Sequence, residues 1–139
     1  MTNSLLIVAW ASEETVYTSF RFASGYTMPD VYTGDAKLTQ ISSNITADTF
    51  EVIYRCENCF AWDQGGSAGS VSTSGGTLVF GRAAAKSGLE GATCPDTATF
   101  GFHDSGFGQW GAMLDGAPQE AYEEWTALAT TVPETTCDG

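Results

Sequence analysis

The sequence has few basic residues and a single histidine. Five lysines and arginines stand against 17 aspartates and glutamates, which gives a formal net charge of −12 over 139 residues. Because nucleic acids and anionic membranes are bound by clustered cations, this balance excludes both as expected partners. An acidic surface suits a protein secreted into an acidic medium, one that docks on a basic patch of a partner, or one that is simply soluble.

Long apolar runs and the common nucleotide and hydrolase motifs are also missing. The longest apolar run is LLIVAW, residues 5–10, whereas a membrane-spanning helix needs about 20 apolar residues. The sequence has no P-loop, no GxSxG elbow, no GxGxxG after a strand and no HExxH. One histidine leaves Ser-His-Asp chemistry without positive support. The start, MTNSLLIVAW, lacks the basic region and cleavage site of a signal peptide.

Four cysteines are present: Cys56 and Cys59 in CENC, then Cys94 and Cys137. A CxxC alone is compatible with a redox motif or with half of a zinc site. Zinc is disfavoured because the other two cysteines are far apart and only one histidine is present. A thioredoxin-like motif would open a helix, and the flanking residues predict a strand and a glycine-rich loop. An even count favours two disulfides in an oxidising compartment, and the glycosylation acceptor NIT at Asn44 agrees with secretion.

Period-two patterns predict many short strands. In residues 15–23, Val16, Phe20 and Phe22 alternate with polar positions, which predicts a strand with that apolar face buried and Tyr17 and Arg21 on the other face. Further strands are predicted within 5–10, 35–46, 49–56, 77–85 and 97–103, and loops over 64–76 and 87–95. Residues 118–130 alone have helical periodicity. The pattern indicates one all-β domain over 1–139, an antiparallel β-sandwich with a short C-terminal helix.

The single histidine, His103, lies in the turn-rich stretch TFGFHDSGFGQWG. A lone loop histidine is more often a surface residue than a ligand. However, three stretches taken together are similar to one family: MTNSLLIVAW followed by TSFRFASGYTMPDVYTGDAKLTQI, then YRCENC, then TCP with HDSGFGQWGA. In this order, along nearly the whole chain, they resemble the haem b cytochrome domain of fungal cellobiose dehydrogenases.

This resemblance implies an immunoglobulin-like sandwich that holds a non-covalent b-type haem in a shallow pocket at one end. It implies Met1 and His103 as the two axial iron ligands and Tyr26 as the partner of a haem propionate. A haem with both axial positions filled moves electrons and has no open position for a substrate. Asp104, next to His103, is the expected acceptor for the other ring nitrogen. Phe102, Phe107 and Trp110 are expected to pack on the porphyrin.

The resemblance also implies a local disulfide between Cys56 and Cys59 and a second between Cys94 and Cys137. It implies an extracellular location, a flavin dehydrogenase of the GMC type as electron donor and a copper-dependent polysaccharide monooxygenase as acceptor. No substrate-oxidising site is expected in this chain. The family domain extends further at its N-terminus, so a chain that starts at Met1 is expected to lack the first strands of the sandwich.

Two alternatives remain open at this stage. One is a haem-free β-sandwich that binds carbohydrate or another small ligand, with Trp62, Trp110 and Tyr122 as candidate rings for stacking on sugars. The other is a thiol redox protein that uses Cys56 and Cys59. Uptake of haem separates the first alternative from a cytochrome, and titration of free thiols tests the second.

Overall fold

A computed structural model describes residues 2–115 and 120–137 of the chain. Within these residues the fold is built from antiparallel strands and one short helix. The elements are β1 (Ser4–Ser12), β2 (Thr15–Ala23), β3 (Asp30–Val31), β4 (Lys37–Ile45), β5 (Phe50–Glu57), β6 (Ala61–Gln64), β7 (Ser67–Ser70), β8 (Thr77–Ala83), β9 (Phe107–Met113) and α1 (Tyr122–Ala127). The predicted all-β sandwich with a short C-terminal helix is confirmed.

The hairpin of β1 and β2 is the centre of the fold. Its strands pair without interruption from Ser4 opposite Ala23 to Ser12 opposite Thr15, and β3 extends the sheet next to β2. One face of β2 turns toward β4 and β5. There the buried Gln40 of β4 donates from Nε2 to the carbonyl of Val16 at 2.8 Å. This buried bond joins the two sheets.

Strand β2 is buried on both faces, which the sequence did not predict. Val16 and Phe22 are 1% and 3% exposed as expected. The opposite face, expected to meet solvent, is as deeply buried, with Tyr17 at 7% and Arg21 at 4% exposure. The cause is a distant segment, residues 92–100, which lies across this second face. Period-two alternation identified the strand, but it could not reveal a covering segment that follows about 70 residues later.

Two more predictions from the sequence are wrong. Residues 64–76 were expected to form one long loop, but β6 and β7 form a hairpin there. Its turn is Gly65–Gly66 with φ of +62° and +79°, the backbone that a two-residue hairpin turn requires. The predicted strand over 97–103 reduces to one bridge between Thr99 and Glu90. The actual strand is β9, in a glycine-rich stretch for which no strand was predicted, and it forms because β8 supplies its pairing partner.

Both disulfides implied by the resemblance are formed. Cys56 pairs with Cys59 at the end of β5, and Cys94 pairs with Cys137, far apart in sequence. The second disulfide joins the segment over β2 to the C-terminal part of the chain. Within the described part of the chain, no helix has the length and apolar character needed to cross a membrane.

Candidate functional site

His103 lies in a loop that precedes β9. On both sides of the histidine, residues 99–106 are hydrogen bonded to residues 84–90, which follow β8. Glu90 and Thr99 exchange two backbone hydrogen bonds of 3.0 and 3.1 Å. Nearer to β9, the N–H of Ser105 donates to the carbonyl of Ala84 at 2.9 Å. Residues 101–106 between these anchors are named the histidine loop. Residues 84–90 therefore hold the loop at both ends by β-type pairing.

A close backbone contact tightens one side of the histidine loop. Gly88 has φ of +81°, and a Cβ placed on it would lie 2.7 Å from the backbone nitrogen of Gly101. The N–H of Gly101 in turn donates to the carbonyl of Ser87 at 3.2 Å. Glycine is therefore required at position 88 both for its backbone conformation and for the space it leaves.

Asp104 fixes the other side of the loop, in a role different from the expected one. Its Oδ1 accepts from the backbone N–H of Lys86 at 2.8 Å, and its Oδ2 accepts from the hydroxyl of Ser87 at 3.0 Å. These two hydrogen bonds hold the pKa of Asp104 below its usual value. The expectation that Asp104 accepts from the ring of His103 is wrong, because both of its oxygens are directed to residues 86 and 87.

The imidazole of His103 packs against two phenylalanine rings. Its centroid lies 4.0 Å from that of Phe102 and 5.0 Å from that of Phe107. Within the described residues its Nδ1 is buried and has no hydrogen-bond partner. An unpartnered buried polar atom costs about 1–3 kcal/mol, so such groups are rare and concentrate at functional sites. The ring is held by apolar contacts with Phe102 and Phe107. Its Nδ1 makes no hydrogen bond within the described part of the fold.

Large aromatic side chains in this loop, in β9 and in the separate loop after β2 face solvent. Phe102 is 69% and Phe107 73% exposed, and Tyr26, in the loop that follows β2, is 86% exposed. Trp110 of β9 is half exposed and stacks on Phe80 at 4.9 Å between centroids. Exposed apolar surface of this extent next to one half-buried histidine is typical of a binding site for an apolar ligand.

The segment before the histidine loop approaches along the second face of the β1–β2 hairpin. Trp10 donates from Nε1 to the carbonyl of Ala92 at 2.7 Å, near the turn of the hairpin. Further along, Ala98 packs on Trp10 and Tyr17, and the ring of Phe100 lies 5.9 Å from the guanidinium carbon of Arg21. The segment therefore advances toward the end of the hairpin where β1 begins and β2 ends.

Two other predicted site residues, Met1 and Tyr26, are close in sequence to the strand ends at this end of the hairpin. Tyr26 follows the end of β2 at Ala23, and β1 begins at Ser4. Met1, the predicted thioether ligand, lies outside the described residues. The hydroxyl of Tyr26 has no hydrogen bond to the described residues, in keeping with its high exposure.

The donor set around His103 excludes a metal ion held by several side chains in the described part of the chain. Residues 2–115 and 120–137 contain no group of three or more histidine, cysteine, aspartate or glutamate side chains that would hold a metal. A single imidazole suits a metal whose remaining ligands come mostly from a cofactor, as in haem. The flanking aromatic rings fit the flat apolar faces of such a cofactor.

The residues proposed for the two alternatives are placed differently. Trp62 of β6 donates to the carbonyl of Asn3 at 3.1 Å, Trp110 stacks on Phe80, and Tyr122 belongs to α1. These three rings lie on three separate elements and make no aromatic pair with one another within the described residues. All four cysteines are in disulfides, which leaves the thiol redox alternative without a free thiol.

Comparison with known proteins decides the family. A family model described as the cytochrome domain of cellobiose dehydrogenase matches residues 1–124. The chain belongs to the family of cellobiose dehydrogenase cytochrome domains. Among solved structures, the cytochrome domain of Myriococcum thermophilum cellobiose dehydrogenase superimposes with a TM-score of 0.89 at 52% identity, over 94% of this chain and 64% of that one.

Relatives also exist in a second type of dehydrogenase. The cytochrome b domain of pyranose dehydrogenase from Coprinopsis cinerea superimposes with a TM-score of 0.75 at 28% identity, over 98% of this chain and 68% of that one. The pyrroloquinoline quinone-dependent pyranose dehydrogenase of the same fungus is 30% identical over 133 residues, which are 96% of this chain and 18% of that protein. The chain thus spans less than a fifth of the length of this curated relative.

Proposed function

We propose that this chain is a haem-binding electron-transfer module and that residues 1–139 form its cytochrome domain. The observation that carries the proposal is the imidazole of His103, which is packed between Phe102 and Phe107 with a buried, unpartnered Nδ1. Family membership supports the same function, since the model that matches residues 1–124 describes a cytochrome domain.

In this proposal His103 and Met1 are the axial ligands of a non-covalent b-type haem. When bound, the haem supplies one-electron redox chemistry. An imidazole and a thioether would fill both axial positions, which would leave no place for a substrate at the iron, and the thioether would favour a higher potential than a second nitrogen ligand. The pairing of residues 99–106 with residues 84–90 orients His103, and its two phenylalanine neighbours exclude water from one side of the ring.

Tyr26 is the proposed partner of a haem propionate. Its hydroxyl is available because the side chain is 86% exposed, and a phenol donates readily to a carboxylate. Phe102 and Phe107 are proposed to contact the apolar part of the macrocycle. These contacts would bury the aromatic surface that the two side chains expose without a ligand.

The proposed electron donor is a flavin dehydrogenase of the GMC type and the proposed acceptor is a copper-dependent polysaccharide monooxygenase. The relatives support a dehydrogenase partner because their names place cytochrome domains in cellobiose and pyranose dehydrogenases. The net charge of −12 favours docking on basic surfaces and predicts that electron transfer slows as ionic strength rises.

We also propose that the protein is secreted and carries a glycan on Asn44. This side chain is exposed on β4, close to the turn that leads into β5. Two disulfides agree with an oxidising compartment. Endoglycosidase treatment of the protein secreted by a fungal host is expected to lower its mass, and the variant Asn44→Gln is expected to show no such change.

Haem titration of the purified chain tests the proposed function. We expect uptake of one haem per chain and sharp low-spin bands in the reduced state. His103→Ala is expected to abolish uptake or to leave a five-coordinate iron, while near-ultraviolet circular dichroism of the haem-free variant stays like that of the parent. Tyr122→Ala, which changes an exposed ring on α1, is the matched control and is expected to bind haem normally.

Two results would overturn the proposal. One is a folded parent chain that takes up no haem. The other is a His103→Ala variant whose haem spectrum is the same as that of the parent, because this would remove His103 from the iron.

A further inference from the structure

Arg21 of β2 is a buried arginine with an unusual set of partners. Arg21 is only 4% exposed. One terminal nitrogen, Nη2, donates to the carbonyl of Pro95 at 2.6 Å and to that of Ala98 at 2.8 Å. Its Nε donates to the hydroxyl of Ser19 at 2.9 Å, and that hydroxyl donates to the Pro95 carbonyl at 3.1 Å. Ser19 and Arg21 of β2 thus bind residues 95–98, which cover this face of the sheet.

The charge of Arg21 is not neutralised by a contact ion pair. Within the described residues no carboxylate pairs with it, and Asp96 acts on it only at longer range. Burial lowers the pKa of the guanidinium, which still stays charged. A buried cation bound only to neutral oxygens costs free energy, whereas an apolar side chain would fill the same space more cheaply. The arrangement therefore needs a reason beyond stability.

The stretch that Arg21 holds leads directly to the histidine. Pro95 and Ala98 precede the ring of Phe100, which lies under the guanidinium at 5.9 Å from its central carbon, and His103 follows three residues later. Ala98 has no exposed surface, so the chain has no room to shift at that point. After Thr99 the histidine loop makes contacts with residues 84–90 only through backbone atoms and Asp104. Only residues 99 and 100 separate this stretch from the histidine loop.

We propose that Arg21 is a positioning residue for His103. Its planar guanidinium fixes residues 95–98 against β2 and so sets where the imidazole stands. A lysine has one compact ammonium and cannot reach the two carbonyls and the hydroxyl with the same geometry. The ligand role of His103 rests on the proposed function, but the clamp itself exists without haem and is tested without it.

The first test uses the haem-free chain. Amide hydrogen exchange at Ala98, Thr99 and Gly101 reports on the clamp, because all three N–H groups are hydrogen bonded. In Arg21→Gln these amides are expected to exchange about tenfold faster or more, since two bonds to a charged donor are lost. Amides of the β4–β5 pairing are expected to keep their rates. The imidazole proton signals need no assignment because the chain has one histidine, and they are expected to broaden or shift.

The second test uses the haem-loaded chain. Arg21→Gln is expected to lose part of the low-spin spectrum and to change the reduction potential, and Arg21→Lys is expected to restore it only in part. Should Arg21→Gln fail to fold, Ser19→Ala removes one of the guanidinium's three partners and is expected to show a smaller change of the same kind. Arg55→Gln, which breaks a partly buried ion pair with Glu57 on β5, is the charge-matched control and is expected to keep the exchange rates of residues 98–101 and the haem spectrum of the parent.

A stability control separates positioning from general support. Val16→Ala opens the apolar face of the same strand, where Val16 is 1% exposed, and lowers the melting temperature without touching residues 95–98. If it changes the exchange rates and the haem spectrum as much as an Arg21 variant of equal melting temperature, the positioning role is wrong. Unchanged exchange in folded Arg21→Gln also overturns it. A parent chain that binds no haem instead overturns the proposed function and leaves the exchange result standing.

Discussion

Two consecutive stretches of chain, residues 91–100 and residues 101–107, differ sharply in how the fold treats them. The first stretch is docked on the β1–β2 hairpin through Trp10, Arg21 and the fully buried Ala98. The second carries Phe102 and Phe107, both more than two-thirds exposed, and a histidine with an unpartnered nitrogen. The docked stretch has its large side chains covered within the fold, whereas residues 101–107 keep two phenylalanine rings exposed and one imidazole nitrogen without a partner among the described residues.

The contrast shows how one fold separates stability from function. A site that presents unsatisfied atoms and bare aromatic rings is itself destabilising, because these groups would be better covered or paired. Placing it directly after a firmly anchored stretch lets the site stay in position without stabilising itself. Substitutions in residues 91–100 or their partners should therefore change the free energy of unfolding, and substitutions in the histidine loop should change ligand binding.

The largest effect is expected from the disulfide that anchors the docked stretch. Cys94 and Cys137 close a loop with a sequence separation of 43, for which the chain-entropy model gives about 4 kcal/mol of stabilisation. Cys56 and Cys59 are only 3 apart, and the same model gives roughly 1.5 kcal/mol. Urea unfolding of the double alanine variant of each pair measures the two values. Equal losses, or a larger loss for Cys56 and Cys59, would contradict the anchoring role of the long disulfide.

A pair of tryptophan variants gives the next largest difference. Trp10→Phe removes the Nε1 bond to the Ala92 carbonyl in a side chain that is 6% exposed, which should lower the free energy of unfolding by about 2 kcal/mol. Trp110→Phe, at a residue 51% exposed, retains stacking on Phe80 and should cost less than about 0.5 kcal/mol. Thermal unfolding of the two haem-free variants checks the prediction, which would be wrong if Trp110→Phe were the more damaging change.

The sequence predicted the strands of the fold better than the way they are covered. Alternation in residues 15–23 is a local property, and β2 formed where it was expected. The burial of Tyr17 and Arg21 depends on residues 92–100, which no local pattern connects to β2. For the same reason β9 was missed, because its glycine-rich sequence favours loop until β8 pairs with it. Long-range contacts decided both outcomes.

The residues of the candidate site stay predictions, and the sequence did not predict the interactions that surround them. His103 and Tyr26 came from a family resemblance, and family membership is now established, while their ligand roles stay predictions. Neither composition nor spacing indicated that Asp104 would bind residues 86 and 87 instead of the histidine. Arg21 was not singled out either. The sequence did contain one indication of its role. Arg21 is one of only five lysines and arginines in the chain, and it lies in the middle of a strand pattern.

The smallest effect on stability is expected at Phe107, the most exposed phenylalanine of the two stretches. Phe107 is 73% exposed, so Phe107→Ala should change the free energy of unfolding of the haem-free chain by less than about 0.5 kcal/mol. In the haem-loaded chain the same change is expected to remove the proposed aromatic contact, so transfer of haem to an apo-globin should become about tenfold faster. Phe50→Ala, at a 40% exposed position on β5, should leave the transfer rate unchanged. A Phe107→Ala variant that unfolds easily yet keeps its haem would reverse the assignment of residues 101–107 to binding.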